Sequence, residues 1–314
     1  MPTGFKIGHY TDTEGITGCT VILPPQSNIT SASVRGGAPG TRELALLSPE
    51  KKITGVTAVL LTGGSAFGLG AAQGVVEALA EQGVGYLTNY GVVPIVPAAV
   101  IFDKNIGDPN VYPKAENARA AIRAAKENNT ANGNVGAGTG ATVGKWSGIE
   151  QAMKGGLGLA RLEQGDLWLE ALTVVNAVGD VLDVDGTILA GARDTQGGFP
   201  GQNRPLVYRD KPQVGLADNT VLTVLMTNAR INKLQAYILA DKAHFGIARR
   251  IEPSHTSYDG DTAFAIAHPQ VECDIDMLTA MGIKAVEASI IDAVKAARSL
   301  GGVTGWSEID QAGD

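Results

Sequence analysis

This 314-residue chain predicts an α+β fold of mixed sheets covered by helices. Helix-like and strand-like segments alternate irregularly, which fits neither a regular βαβ series nor an all-β pattern. Several strand candidates come as hairpin-like neighbours. Continuous apolar runs such as Val56-Thr57-Ala58-Val59-Leu60-Leu61 read as strands buried on both faces. The length suits one elaborate domain or two ordinary ones. No linker divides it, so a single domain over 1–314 is expected.

In chain order, residues 5–9 and 17–23 read as short strands. The strand at 56–61 runs into Thr62-Gly63-Gly64-Ser65 and then an Ala-rich helix through about Glu81. Pro94 and Pro97 interrupt the apolar run 92–102, which therefore reads as irregular or edge structure. Ala115 to Glu127 is a helix that ends near Asn128-Asn129. Strands follow at 134–144, 157–162 and 167–178. Val181 to Leu189, with Asp185-Gly186 between, reads as a hairpin. Residues 193–218 are polar, with Gly197-Gly198 and three prolines, and read as a surface connection. A strand at 220–228, a helix at 231–250, a strand at 262–267 and a helix at 275–299 complete the chain.

Composition narrows the function classes. Hydrophobic residues make up 44%, as in a globular chain, and the net charge of −7 argues against nucleic acid as the main partner. The two cysteines, Cys19 and Cys273, are too few for a disulfide framework or a cysteine zinc site and fit a reducing compartment. The N-terminus lacks a signal layout, and no apolar stretch reaches the ~20 residues of a membrane span. A cytoplasmic protein without membrane partners is expected. Glycine, at 41 residues, is the outlier and is not periodic. It implies many tight turns and close backbone approaches, used either for glycine-lined pockets or for dense strand packing.

Three glycine-rich stretches fail as nucleotide or hydrolase motifs. In Gly136-Ala137-Gly138-Thr139-Gly140 followed by Gly144-Lys145, phosphate-loop spacing puts the first glycine at Thr139, and Trp146 replaces the metal-binding hydroxyl. After Gly68-Leu69-Gly70 the third dinucleotide glycine is Gln73. In Gly63-Gly64-Ser65-Ala66-Phe67, Phe67 stands where a nucleophile elbow needs glycine. His9, His244, His255 and His268 show no metal-ligand spacing. His255 by itself reads as a hydrogen-bonded structural histidine.

Asn219-Thr220 is more informative. Asp218-Asn219 is a turn, and Thr220 opens the apolar run Val221 to Met226. In a whole chain Thr220 is an ordinary strand start. If the chain cuts itself there, the hydroxyl gains its own α-amino group as a base and becomes an amide-cleaving nucleophile. Downstream, Asp259 and Asp261 are two apart, so an extended segment would put both on one face, although Gly260 equally allows a turn.

The chain resembles the DmpA-type family of self-cleaving aminopeptidases, which includes L-aminopeptidase/D-esterases, β-peptidyl aminopeptidases and the nylon-oligomer hydrolase NylC. The resemblance rests on an ordered series of stretches. Among them are Ile7-Gly8-His9, Val34-Arg35-Gly36-Gly37-Ala38-Pro39-Gly40-Thr41-Arg42-Glu43, Leu61-Thr62-Gly63-Gly64-Ser65-Ala66-Phe67-Gly68-Leu69 and Asn134 to Lys145. Met153-Lys154-Gly155-Gly156, Asn176-Ala177-Val178-Gly179-Asp180, Asn219-Thr220 and His255-Thr256 with Asp259-Gly260-Asp261-Thr262 extend it over nearly the full length. It implies an αββα sandwich, self-cleavage into fragments 1–219 and 220–314, no cofactor or metal, and tetramers of processed protomers. Thr220 would be the nucleophile, Asp259 and Asp261 the pair that orients and polarises it, Asn176 an oxyanion-stabilising amide and Lys145 a basic residue at the site. The best-known aminopeptidase members use serine and a Ser-x-Glu arrangement at the acidic positions. Thr220 with Asp259 and Asp261 looks more like the nylon-oligomer hydrolase.

The chemistry follows from the residue types. An α-amino group has a pKa of roughly 7.7–8.0, so near neutral pH it can take the hydroxyl proton as the hydroxyl attacks an amide. The Asn176 amide, together with a backbone N–H, would hold the oxyanion, one such donor contributing roughly 2.7–4 kcal/mol. Two ionised carboxylates would raise the amine pKa, an effect that Lys145 would balance. Cleavage of short peptides or amides with a free amino end is the first reading. Endo-type cleavage of linear oligoamides such as 6-aminohexanoate oligomers is a variant, and a non-catalytic glycine-rich binding protein is the alternative from another class.

Overall fold

The computed structural model describes residues 4–203 and 219–310. Two five-stranded mixed sheets lie face to face. The first orders its strands β1 (Lys6–Asp12), β2 (Thr17–Leu23), β5 (Val59–Thr62), β6 (Ala98–Val100) and β4 (Thr41–Arg42). The second orders β7 (Gly156–Gln164), β8 (Leu167–Asn176), β9 (Thr220–Ala229), β10 (Thr262–Val271) and β3 (Ile29–Val34). Each sheet contains one parallel pair, β5 with β6 and β9 with β10. Helices α1 (Ala72–Glu81) and α2 (Ala115–Arg123) cover the first sheet, and α3 (Lys233–Arg250) and α4 (Ile275–Lys295) cover the second. The layers therefore run helix, sheet, sheet, helix, the αββα sandwich that the resemblance implied.

Strand periodicity builds these layers, because successive side chains face opposite sides of a sheet. In β9, Leu222, Val224 and Met226 join the core between the sheets, with Leu172 and Val174 of β8 and Val59 and Leu61 of β5. Val221, Leu225 and Ala229 face the other way, under Leu239 and Ala243 of α3 and Val286 and Ile290 of α4. Every residue of β9 is buried, which explains its largely apolar sequence; its few polar residues include Thr223 and Thr227, whose hydroxyls find hydrogen-bond partners. Outside the first sheet, Cys19, Val21 and Leu60 pack under Val75 and Leu79 of α1 and Ala118 of α2. Gly158 lets α4 lie directly on β7, since a Cβ there would stand 2.0 Å from the Ser289 carbonyl oxygen. The ends of α3 and α4 follow from their caps. The Asn232 side chain accepts from the Gln235 N–H, and the Asp274 side chain accepts from the Met277 N–H.

Most expected elements are present, including the hairpin between Asp180–Leu182 and Ile188–Ala190. Two expectations are corrected. The run 92–102 is not edge structure throughout, because β6 is buried between β5 and β4. Pro94 and Pro97 lie just before β6, and the Pro97 carbonyl still accepts from the Leu60 N–H, so the missing N–H groups cost the ladder nothing. The expected strand 134–144 is a 3-10 turn at Gly136–Gly138 followed by the two-residue strand Thr142–Val143. Gly136 has a positive φ of 53°, and a Cβ there would stand 2.2 Å from Thr20 Oγ1, so this loop is pressed against β2. Of the expected surface connection, residues 193–203 form turns, including a 3-10 turn at Pro200–Asn203, and the remainder lies outside the described residues. Among the described residues no helix is long and apolar enough to cross a membrane.

Candidate active site

Three strand ends of the second sheet converge. The antiparallel register of β8 and β9 sets Asn176 opposite Thr220. The parallel register of β9 and β10 pairs Leu222 with Thr262, and three residues earlier an isolated bridge joins Asn219 to Asp259. The segment before β10 thus runs beside the Asn219–Thr220 peptide. Its other flank is covered, because the N–H groups of Arg35, Gly37 and Ala38 donate to the carbonyls of Asp261, Thr256 and Asp259. Gly36 and Gly37 permit this approach, since Cβ atoms there would stand 2.3 Å from the Asp259 oxygen and 2.6 Å from the Ser257 oxygen.

The Asn219 carbonyl is the focus of the site. It accepts the Gly260 N–H at 2.8 Å and the Thr220 hydroxyl at 2.5 Å. The Asn219 N–H donates to the Tyr258 carbonyl at 3.1 Å. Thr220 therefore lies against the carbonyl it would attack, with a backbone donor already on that oxygen. Thr220, Asn176, Lys145, Asp259 and Asp261 are each at most 5% exposed.

The two carboxylates hold different parts of the backbone. Asp261 Oδ1 accepts the Val221 N–H at 2.7 Å, and Asp261 Oδ2 lies 2.7 Å from His255 Nδ1. Asp259 Oδ2 accepts the Thr256 N–H at 2.7 Å and so closes the turn that aims Gly260. Burial, and then the neighbouring Asp261 charge, push the Asp259 pKa up to about 6, against the pull of Lys145. Burial opposes protonation of His255, but the bond to Asp261 and its charge outweigh this and raise the His255 pKa. The His244 ring meets His255 edge-on at 4.9 Å, and burial, then the His255 charge, lowers its pKa to about 4.

Lys145 enters from the left-handed turn at Gly144, whose φ is 72°. Its Nζ donates to Asn176 Oδ1 at 2.8 Å and to the Asn176 carbonyl at 3.2 Å. Asn176 Oδ1 also accepts the Thr142 N–H, and Asn176 Nδ2 donates to the Phe102 carbonyl at 3.0 Å. In the intact chain the Asn176 amide thus ties Lys145, the glycine loop and the end of β6 together. The donor on the Asn219 carbonyl is the Gly260 N–H instead. The structure brings all the sequence-nominated residues together and adds Gly260 and His255. The sequence asked for a backbone donor without locating it. It read His255 as a hydrogen-bonded histidine, and nothing in its spacing revealed that the partner is Asp261.

A second buried lysine went unread. Lys154 is fully buried and donates to the carbonyls of Thr139 at 2.9 Å and Ala141 at 2.6 Å, the glycine loop that delivers Thr142 and Lys145. Burial lowers its pKa to about 7 and raises that of its neighbour Asp103, which accepts from Thr17 Oγ1 and the Gly64 N–H. The glycine stretches serve these close approaches. Among the described residues no cluster of three or more His, Cys, Asp or Glu is placed to hold a metal ion.

Residues 3–307 match the profile of Peptidase family S58. An uncharacterized aminopeptidase of Mycobacterium leprae is 37% identical, over 96% of this chain and 91% of its own. A 6-aminohexanoate-oligomer endohydrolase of an Agromyces species is 33% identical, over 93% of this chain and 80% of its own. Among solved structures, the L-aminopeptidase D-Ala-esterase/amidase of Ochrobactrum anthropi, described as a variant among the Ntn hydrolase fold, superposes with a TM-score of 0.72 at 22% identity. It covers 99% of this chain and 92% of that one. A Burkholderia β-aminopeptidase superposes with a TM-score of 0.74 at 21% identity, over 98% and 91% of the two chains.

Proposed function

We propose, on the premise that this chain belongs to peptidase family S58 and is a hydrolase acting on amide or peptide bonds, that it cuts its own Asn219–Thr220 bond and then works through the freed Thr220. One observation carries the reading. The Asn219 carbonyl oxygen accepts from the Gly260 N–H at 2.8 Å and from the Thr220 hydroxyl at 2.5 Å, so the hydroxyl lies beside the bond to be cut and a backbone donor is already on the oxygen where charge would develop.

The Thr220 oxygen attacks the Asn219 carbonyl carbon, and charge develops on the oxygen that Gly260 holds. The C–N bond breaks, the Thr220 nitrogen takes a proton, and an ester joins Asn219 to the threonine oxygen. Water hydrolyses that ester, giving the Asn219 carboxylate and a Thr220 with free amine and hydroxyl. In turnover the amine accepts the hydroxyl proton during attack on a substrate amide and returns a proton to the leaving amine. Water then releases the acyl group. Asp261 fixes the strand start through the Val221 N–H. Lys145, held by Asn176, offsets the two carboxylates and keeps the amine from being locked as ammonium. Cleavage leaves the register pairs from Val221 onward intact, so fragments 1–219 and 220–314 stay joined.

The substrates are short peptides or amides with a free amino end. A second reading, endo-cleavage of linear oligoamides, is supported by the 33% identity to the Agromyces oligomer hydrolase. The chain assembles into homo-oligomers, with tetramers the form the family resemblance implies; the exposed hairpin strands Tyr86–Thr88 and Gly91–Val93, with Leu87 and Tyr90 open to solvent, support self-association. Thr220→Ala tests the proposal. The variant is expected to stay full length and lose activity by at least about 10³-fold, whereas Thr220→Ser cuts itself and hydrolyses. An active, uncut Thr220→Ala protein would sink it.

A further inference from the structure

Asp261 joins the nucleophile strand to a histidine behind it. Its Oδ1 accepts the Val221 N–H at 2.7 Å, one residue past Thr220. Its Oδ2 faces away, 2.7 Å from His255 Nδ1 and 3.3 Å from the His255 backbone nitrogen. One residue thus grips that oxygen twice. It does so from a left-handed backbone, with a φ of 55°, a conformation uncommon outside glycine. The other ring nitrogen, Nε2, lies 3.3 Å from the His244 carbonyl oxygen. A carbonyl and an ionised carboxylate can only accept. Both ring nitrogens of His255 are paired at once only when both carry a proton, as the imidazolium.

The surroundings favour a single cation in this histidine pair. Facing His255 are Asp261 and Asp259 of its own segment and His244 of α3. Behind His244, Asp241 of α3 and Arg35, just after β3, pair with each other at 2.6 Å. His244 Nε2 lies 3.2 Å from the Ser33 carbonyl and carries the proton of a neutral ring. Its Nδ1 is a buried bare acceptor with no partner among the described residues.

We infer that His255 is a positioning residue for the Thr220 chemistry: as an imidazolium it keeps Asp261 ionised on the Val221 N–H and cancels the charge that would hold the freed amine as ammonium. The inference rests on Thr220 being the nucleophile. Lys145, which acts on Asp259, then shares with His255 the task of offsetting the two carboxylates. Without the imidazolium, the amine keeps its proton to higher pH and the buried Asp261 takes one more readily. Both changes move the acid limb of kcat/KM upward.

The test compares His255→Asn with the unaltered chain, after intact mass has read the processing of each. Asparagine tolerates the left-handed backbone and sets its Nδ2 where Nδ1 stands, so the bond to Asp261 is kept and the charge is lost. With L-alanyl p-nitroanilide, the acid limb is expected to move up by about one pH unit, the scale of one lost opposite charge. An unmoved limb overturns the inference and leaves His255 a structural donor. Added to Asp261→Asn, His255→Asn is expected to cost less than about twofold more, because the partner through which it acts is gone. Losses that multiply in full overturn the inference likewise. A second measurement needs no turnover: NMR of the ring nitrogens in isotope-labelled Thr220→Ala protein, with His255 assigned as the signal that His255→Asn removes. A doubly protonated ring is expected at about pH 7, above the ordinary histidine pKa of about 6.5, and a neutral ring overturns the inference. An active, uncut Thr220→Ala chain removes the nucleophile and leaves that signal in place, so the two failures are told apart.

Discussion

The two sheets meet the candidate active site in different ways. The second sheet supplies it by register, with Thr220, Asn176 and the Asp259–Asp261 segment at the ends of three adjacent strands. The first sheet reaches it only through loops. The Phe102 carbonyl after β6 accepts from Asn176, and Asp103 beside it faces Lys154, which lies just before β7 and braces the glycine loop that presents Lys145. Strand ends in a packed sheet are fixed by the whole ladder, so groups placed there are held with little freedom. Loop groups need their own buried polar anchors, at the cost of desolvating a lysine and a carboxyl. The difference teaches that the reacting atoms ride on the sheet core, while their electrostatic balance depends on braces reached from across the sandwich.

That contrast can be broken by substitution. The largest effect is expected on the register side. Asp261→Asn keeps an acceptor for the Val221 N–H but removes the charge that holds His255. Turnover should fall on the order of 10²-fold and self-cleavage should slow, with little change in melting temperature, since the strand remains paired. A loss of stability that matches the loss of turnover would place Asp261 among the braces instead. On the loop side, Lys154→Met leaves the Thr139 and Ala141 carbonyls and the Asp103 carboxyl without their cation. Stability should drop by about 2–4 kcal/mol in chemical denaturation, with a smaller, few-fold change in kcat of the folded fraction. A folded variant that is fully stable yet inactive would give Lys154 a part in the chemistry.

The smallest effect lies beside both sheets. Asp180 accepts from the Ala192 N–H and Trp146 Nε1, and burial pushes its pKa up to about 6. A carboxyl with a raised folded-state pKa stabilises fully below its unfolded value of about 4, and that contribution is lost as pH rises through about 6. Asp180→Asn should therefore flatten the decline in stability between about pH 4 and 6, by on the order of 1–3 kcal/mol. An unchanged slope would show that another group sets it.

Legibility in the sequence follows the same division. Thr220 stood out because a turn signal preceded an apolar strand, a local boundary, whereas Asp259 and Asp261 took their role from the family resemblance, since Gly260 between them left a turn equally open. The strand β6 was missed because Pro94 and Pro97 mark a break without telling that pairing resumes one residue later. The stretch 134–144 misled because its glycines read as small strand residues, whereas Gly136 turns with a positive φ under β2. The Gly260 N–H was invisible because a backbone amide belongs to no residue type; only the register of β9 against β10 places it. Lys154 was passed over because a lone lysine reads as surface, and its acceptors are carbonyls on a loop whose path the sequence does not disclose. Lys145 was named through family resemblance, and its hold on Asn176 required the fold.

The nucleophile itself is tested by intact-mass spectrometry with N-terminal sequencing on the active fraction of the purified protein. Two associated fragments, the smaller beginning Thr220-Val221-Leu222, are the result expected here. Full activity in a fraction containing only the uncut chain would contradict it.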